Sequence, residues 1–277
     1  MLKPETQFRI ERFLKTVTQA RRSLLLLDYD GTLAPFREER DQAFPYPGSA
    51  QLLQEIVRSG HTRVVIISGR DTSETIPLLG LTPTPEVWGL HGLQRRKPGG
   101  KIETVRIEER YLDALSDANR WVECQYLGRA AEFKTGSIAV HWRGLTDLEV
   151  EELRARLLAG WNLIAKHSGM KLLEFDGGIE IRVPEADKGD VVRIVLTEVE
   201  PDTPAAYLGD DVTDEHAFRA ILGRGLGVLV RPRWRQTAAQ LWLKPPGELL
   251  DFLTRWLNAV RERNALGSKA VAAVNGR

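Results

Sequence analysis

The sequence predicts an α/β protein: a doubly wound parallel sheet whose chain is interrupted by an inserted α+β cap domain. Two observations carry this. Apolar runs at 24–28, 64–68, 87–90, 205–209 and 227–230 alternate with helical stretches, as parallel strands do with their crossover helices. Between Leu93 and Asp187 that rhythm changes to helix, two strands, helix, two strands, which is enough chain for an antiparallel unit of its own. The expected boundaries are 1–92 plus 188–277 for the core and 93–187 for the cap.

Along the chain, Phe8, Phe13 and Leu14 recur at helical spacing among charges and predict an opening helix without the apolar centre of a secretion signal. Four leucines then run into Asp28-Tyr29-Asp30-Gly31-Thr32-Leu33. A continuous apolar run reads as a strand buried on both faces, and Gly31 lets the backbone turn away from the sheet. Asp28 and Asp30 therefore stand at the carboxyl end of a buried strand, where open α/β sheets bind ligands. Asp-x-Asp-Gly also describes an ordinary strand-to-turn exit. Two close carboxylates repel unless a cation or a shared proton relieves them, and magnesium is the simplest relief.

The second strand ends in Ser68-Gly69-Arg70, which combines a hydroxyl, an accessible backbone N–H and a forked cation suited to a phosphate, although a plain turn with a solvated arginine has the same spelling. In the insert, helical periodicity covers 106–124 and 147–167, and strand pairs cover 132–143, broken at Thr135-Gly136, and 171–183, broken at Asp176-Gly177-Gly178. At period two, Glu132 and Lys134 share a face. Such a pair suits a polyhydroxylated ligand or a cross-strand charge pair on a solvated sheet. Trp142 reads as core.

Lys188-Gly189-Asp190 opens a further helix, and the strand 205–209 delivers Asp210, Asp211, Asp214 and Glu215 within six residues. That is more acid than a helix N-terminus needs, although Glu215 by itself reads as a first-turn helix acid. Residues 266–277 are expected to form a loose tail.

Composition narrows the partners. With 39 basic and 38 acidic residues among 277, the net charge of +1 gives no general attraction to nucleic acid or anionic membrane. The basic runs Arg95-Arg96-Lys97 and 231–235 form no stripe and read as solvated surface. No stretch approaches the roughly 20 apolar residues a membrane helix requires. The single cysteine, Cys124, excludes an internal disulfide and suits a reducing compartment, so a cytoplasmic location is expected.

The ordered set Asp28-x-Asp30-x-Thr32, Ser68, Lys188 and Gly209-Asp210-Asp211 resembles the haloacid dehalogenase superfamily. The spellings Ser68-Gly69-Arg70, His91-Gly92, Lys188-Gly189 and Gly209-Asp210-Asp211-Val212-Thr213-Asp214-Glu215 resemble trehalose-6-phosphate phosphatases over about residues 22–255. The resemblance implies a haloacid dehalogenase-like core and magnesium-dependent hydrolysis of trehalose 6-phosphate. Asp28 is the implied nucleophile, Asp30 the acid and base, and Lys188 a further catalytic residue. The implied Mg2+ site draws on Asp28, the carbonyl of Asp30, Asp210 and Asp211, with Asp214 orienting its waters. Phosphate contacts fall on Thr32, Ser68, Gly69 and Arg70.

Within the cap the resemblance implies sugar contacts at Glu132, Lys134 and Glu180, while His141 and Arg143 suit structural or phosphate-side roles equally. Two departures bear on sugar preference: the turn at Asp176-Gly177-Gly178 with Val183 ahead of Pro184, and a neutral Gln94 where the family commonly has an acid. Alternatives are a phosphatase for another glycoside phosphate, such as a glucosyl or mannosyl polyol phosphate, and a regulator that binds sugar phosphate without turnover. A functional link to a trehalose-6-phosphate synthase is the implied partnership.

Overall fold

The computed structural model describes residues 3–37, 39–142, 144–175, 177–185 and 187–275. Among the described residues there are twelve strands. These are β1 (Ser23–Asp28), β2 (Thr62–Ile67), β3 (Glu86–Gly89), β4 (Gln94–Arg96), β5 (Ile102–Thr104), β6 (Ala131–Lys134), β7 (Ser137–His141), β8 (Lys171–Phe175), β9 (Gly178–Arg182), β10 (Ala205–Gly209), β11 (Gly225–Val230) and β12 (Leu241–Leu243). The helices are α1 (Pro4–Gln19), α2 (Ser49–Arg58), α3 (Thr72–Leu79), α4 (Glu109–Cys124), α5 (Asp147–Ser168), α6 (Lys188–Thr197), α7 (Glu215–Ile221) and α8 (Gly247–Asn275).

The larger sheet has the order β12-β11-β10-β1-β2-β3-β4-β5. Its strands from β12 to β3 run parallel, and β1 sits between β2 and β10. The leucine run explains this central place, because alternate side chains serve opposite faces. Leu25 and Leu27 pack with α1, α2 and α8 through Ile10, Leu53 and Trp256, while Leu24 and Leu26 pack with α6 and α7 through Val192 and Phe218. Burying each such side chain is worth about 1.5–3 kcal/mol, so the strand bearing Asp28 is held from both sides.

The edge departs from the expected boundary. β4 and β5 form an antiparallel hairpin that pairs with β3, so 94–104 extends the larger sheet although the boundary at 93 assigned it to the cap. The change of sheet falls after Thr104. Two smaller expectations also change. Phe8 is exposed, and Ile10, Leu14 and Val17 are the buried face of α1. The loose tail expected from 266 onward is helical as far as Asn275.

The second sheet has the order β6-β7-β9-β8, all antiparallel. Ile138, Val140, Ile179 and Ile181 on one face pack against Leu115 and Ala118 of α4 and Leu157 and Trp161 of α5. Trp142 joins this core, as the sequence suggests. The opposite face is left for polar residues, and it turns toward the carboxyl ends of β1 and β10 across a shared cleft.

Candidate active site

The cleft is walled by residues of both sheets: Asp28, Asp30, Gly69, Arg70, Lys188 and Asp210 on the core side, and Glu132, Lys134, His141 and Glu180 on the cap side. His91 and Arg40 also line it.

Asp28 is fixed by two donors. Lys188 Nζ lies 2.6 Å from its Oδ1, and the Thr32 hydroxyl donates to Oδ2 over 3.0 Å. Lys188 reaches this point because it opens α6, whose start is capped by Asp187 accepting from the Gly189 N–H at 2.7 Å. His216 Nδ1 holds the other Asp187 oxygen at 2.5 Å. Burial pushes the Asp28 carboxyl up to about 7, with Lys188 opposing and Asp214 and Asp30 adding to the rise.

Asp210 is raised well above the usual carboxylate range by burial and then by the Asp28 and Asp214 charges. Its carboxylate lies directly over Gly31, where any Cβ would strike it, and Gly31 has φ of +85°. The turn after β1 therefore needs glycine both for its backbone and for the space above it.

Among the described residues, Asp28, Asp210 and Asp214 bring ligand atoms within 4.8 Å of one another. Asp214 is already saturated. Its Oδ1 accepts from Lys188 at 2.7 Å and Tyr207 at 2.5 Å, and its Oδ2 accepts from the N–H groups of Asp210 and Asp211 at 3.0 and 2.9 Å. Burial opposes its charge, but Lys188 and these donors hold its carboxyl below the usual range. Asp211, expected among the metal ligands, turns its carboxylate to the Val212 N–H at 2.7 Å and caps the turn that follows. Asp28, Asp210 and Asp214 form the acidic cluster at this wall, and Asp214 also orders the loop that carries Asp210.

The basic run expected to be solvated supports this loop. Arg235 donates to the carbonyl of Asp211 at 2.6 Å and to Glu215 at 2.6 Å, and Arg231 donates to the carbonyl of Asp210 at 3.3 Å. Glu215 also accepts from the Ala238 N–H at 2.9 Å, so it fastens 231–240 to α7 and is more than a first-turn acid.

Asp30 is gripped by Arg70 through two bonds of 2.7 Å, Nε to Oδ2 and Nη2 to Oδ1. Arg70 was expected to face phosphate, and here its fork faces a carboxylate. Ser68 is wholly buried and its hydroxyl accepts from the Arg70 N–H at 3.1 Å, so it shapes the turn behind the cleft. Gly69 lies at the wall and admits the ring of His91, whose Nε2 would be 2.6 Å from a Cβ there. His91 has φ of +57°, and burial pushes its imidazole down to about 4, so it is neutral at pH 7.

On the cap side the register builds a row. Glu132 pairs with Ala139, and Ala139 with Glu180, which places two carboxylates on either side of a small residue facing the cleft. Glu132 meets Lys134 at 3.2 Å and His141 at 3.0 Å. Glu180 accepts from Ser137 at 2.7 Å and has Lys134 at 3.8 Å. Burial opposes its charge, yet His91, Lys134 and Arg182 hold its carboxyl well below the usual range. Arg143 and Asp176 lie outside the described residues. Gln94 stands away from the cleft, where its amide accepts from the Thr72 N–H at 3.2 Å and donates to Asp71 at 2.8 Å. Its neutrality belongs to the start of α3.

Comparison with known proteins identifies the family and the fold. A family model described as trehalose-phosphatase matches residues 26–240. A trehalose-phosphate phosphatase of Mycobacterium marinum is 30% identical over 248 residues, which cover 84% of this chain and 61% of that protein. The chain therefore spans about three fifths of the length of that relative. In fold it is similar to the C-terminal domain of the Candida albicans trehalose-6-phosphate phosphatase, with a TM-score of 0.77 at 21% identity, covering 90% of this chain and 96% of that one. The C-terminal domain of a Candida albicans trehalose synthase regulatory protein shares the fold with a TM-score of 0.71 at 14% identity, covering 91% of this chain and 99% of that one.

Proposed function

The chain belongs to the trehalose-phosphatase family, and from that premise we propose that it hydrolyses trehalose 6-phosphate to trehalose and phosphate, with Mg2+ as cofactor. One observation carries the reading: Asp28, Asp30, Lys188 and Asp210 meet at one wall of a cleft whose other wall is the polar row Glu132, Lys134 and Glu180.

The cation fits the chemistry of its donors. Asp28 and Asp210 are buried, close and mutually repelling, which a hard oxygen-loving ion relieves. Asp28, Asp210 and the carbonyl of Asp30 would hold it, and when bound it would neutralise charge on the phosphoryl oxygens.

Asp28 Oδ attacks phosphorus while the leaving 6-oxygen takes a proton from Asp30, which leaves an aspartyl-phosphate and the free sugar. Asp30, now ionised, removes a proton from the water that attacks the aspartyl-phosphate, and Asp28 and phosphate are released. Lys188 and Thr32 keep the Asp28 carboxylate oriented, and the Gly69 backbone with Lys188 faces the non-bridging oxygens. Glu132, Lys134 and Glu180 receive sugar hydroxyls, with His141 supporting Glu132. The cap sheet faces the core across the cleft, which limits the water that could compete with the sugar for the phosphoryl group.

The test is metal-dependent turnover of trehalose 6-phosphate beside glucose 6-phosphate. A clear preference for the disaccharide is expected, together with loss of activity on chelation. Equal turnover of the two sugars would remove trehalose 6-phosphate as the substrate, and phosphate release persisting in Asp28→Asn would remove the mechanism. A trehalose-6-phosphate synthase is the class of enzyme that would supply the substrate.

A further inference from the structure

Arg40 lies outside every motif by which the family was recognised. It opens the 3-10 turn Arg40–Gln42 in the segment joining β1 to α2, and it is a core residue that reaches across the cleft to the cap. Its Nη1 meets Glu132, its Nη2 donates to Glu74 of α3 at 3.0 Å, and its carbonyl accepts from Arg70 Nη1 at 2.7 Å. The same Arg70 grips Asp30 with its other two nitrogens at 2.7 Å. A continuous chain of contacts therefore runs from Glu132 on the sugar face through Arg40 and Arg70 to Asp30.

The two ends of this chain make incompatible demands. A carboxylate held by both arms of a guanidinium has both oxygens engaged. To reach a leaving sugar oxygen, Asp30 has to turn from Arg70, which engages both of its oxygens, so the arrangement observed is a resting one. At the other end, a sugar hydroxyl that takes Glu132 competes with Arg40 for the same oxygens. Once Arg40 loses Glu132, its guanidinium keeps Glu74 but no longer ties the turn that anchors Arg70 to the cap.

Resting on the substrate reading above, we infer that Arg40 is a specificity-determining residue. It couples occupation of the cap's sugar face to release of Asp30, so a phosphate ester lacking the second sugar is turned over slowly even when its phosphate is bound. The discrimination then resides in kcat, where a binding contact alone would place it in KM.

Three substrates separate the steps. Trehalose 6-phosphate needs the acid and fills the sugar face, glucose 6-phosphate needs the acid and leaves the face incomplete, and p-nitrophenyl phosphate has a leaving group that needs no proton. In Arg40→Gln the kcat for glucose 6-phosphate, normalised to that for p-nitrophenyl phosphate, is expected to rise about tenfold, narrowing the disaccharide preference in kcat by the same factor. Arg40→Lys keeps a cation for Glu132 and is expected to retain most of the preference. The Arg40 side chain is 37% exposed, so both variants should fold, and thermal melting checks this. A kcat preference unchanged within about twofold, a change confined to KM, or an equal fall for all three substrates would each overturn the inference. A wild-type protein without disaccharide preference would remove the substrate reading and this inference with it, whereas a preference that survives in Arg40→Gln removes this inference alone.

Discussion

At Asp28, burial and function pull in opposite directions. Burial raises its carboxyl to about 7 despite Lys188, so below that pH the cation-free protein holds a proton where the metal ligand should be. A cation must displace the protons that burial favours on Asp28 and Asp210, so its apparent affinity should rise with pH between 6 and 8. Titrating Mg2+ by calorimetry at pH 6 and pH 8 in buffers of different ionisation enthalpy checks both the affinity and the proton release. Affinity independent of pH would show that Asp28 is not a ligand. Asp30→Asn should lower turnover of trehalose 6-phosphate by about 10²–10⁴ and that of p-nitrophenyl phosphate far less, as comparative kinetics would record. Asp28, Asp30, Lys188 and Asp210 were legible because residue type and strand-end position together suffice to gather them. The partner of Arg70 was not, since an arginine after Ser-Gly has the same spelling whether it faces phosphate or a carboxylate. Nor was the turn-capping role of Asp211, whose carboxylate accepts from the Val212 N–H.

Among the elements, α6 matters most because its first residue is Lys188. Asp187 caps it, binds His216 from α7, and lies 3.8 Å from Arg182 of β9, so a single side chain ties cap, core and catalytic helix together. Asp187→Ala should cost about 0.5–2 kcal/mol through the lost cap alone, and kcat should fall as Lys188 loses its register. Denaturant unfolding and kinetics on the same variant test this, and Asp187→Asn, which keeps an accepting oxygen, should recover most of the stability. The strands from β1 to β3, β10 and β11, and those of the cap, were readable from apolar runs and alternation. β4, β5 and β12 were not. Each is three residues long, and Gln94-Arg95-Arg96 and Ile102-Glu103-Thr104 carry no apolar run, so their strand state comes from pairing to a preformed edge. The helix beyond 265 was missed by treating a terminus as loose, although its alanine-rich sequence favours helix.

For the whole molecule, two sheets with separate cores share one polar cleft. Ligands that bind the folded state alone add stability as RT ln(1 + [L]/Kd), about 2.7 kcal/mol at a hundredfold excess over Kd. In Asp28→Asn, trehalose 6-phosphate with Mg2+ should therefore raise the melting temperature more than glucose 6-phosphate at the same concentration, because on the proposed reading the disaccharide meets both walls and binds more tightly. Among the described residues no helix is long and apolar enough to cross a membrane, which agrees with the sequence on that point. The most direct measurement is an acid-quenched single turnover with phosphorus-labelled trehalose 6-phosphate, followed by peptide mapping. A transient phosphoryl group on Asp28, absent in Asp28→Asn and absent without a divalent cation, is the expected result; phosphate appearing at full rate with no label ever on Asp28 would contradict the account.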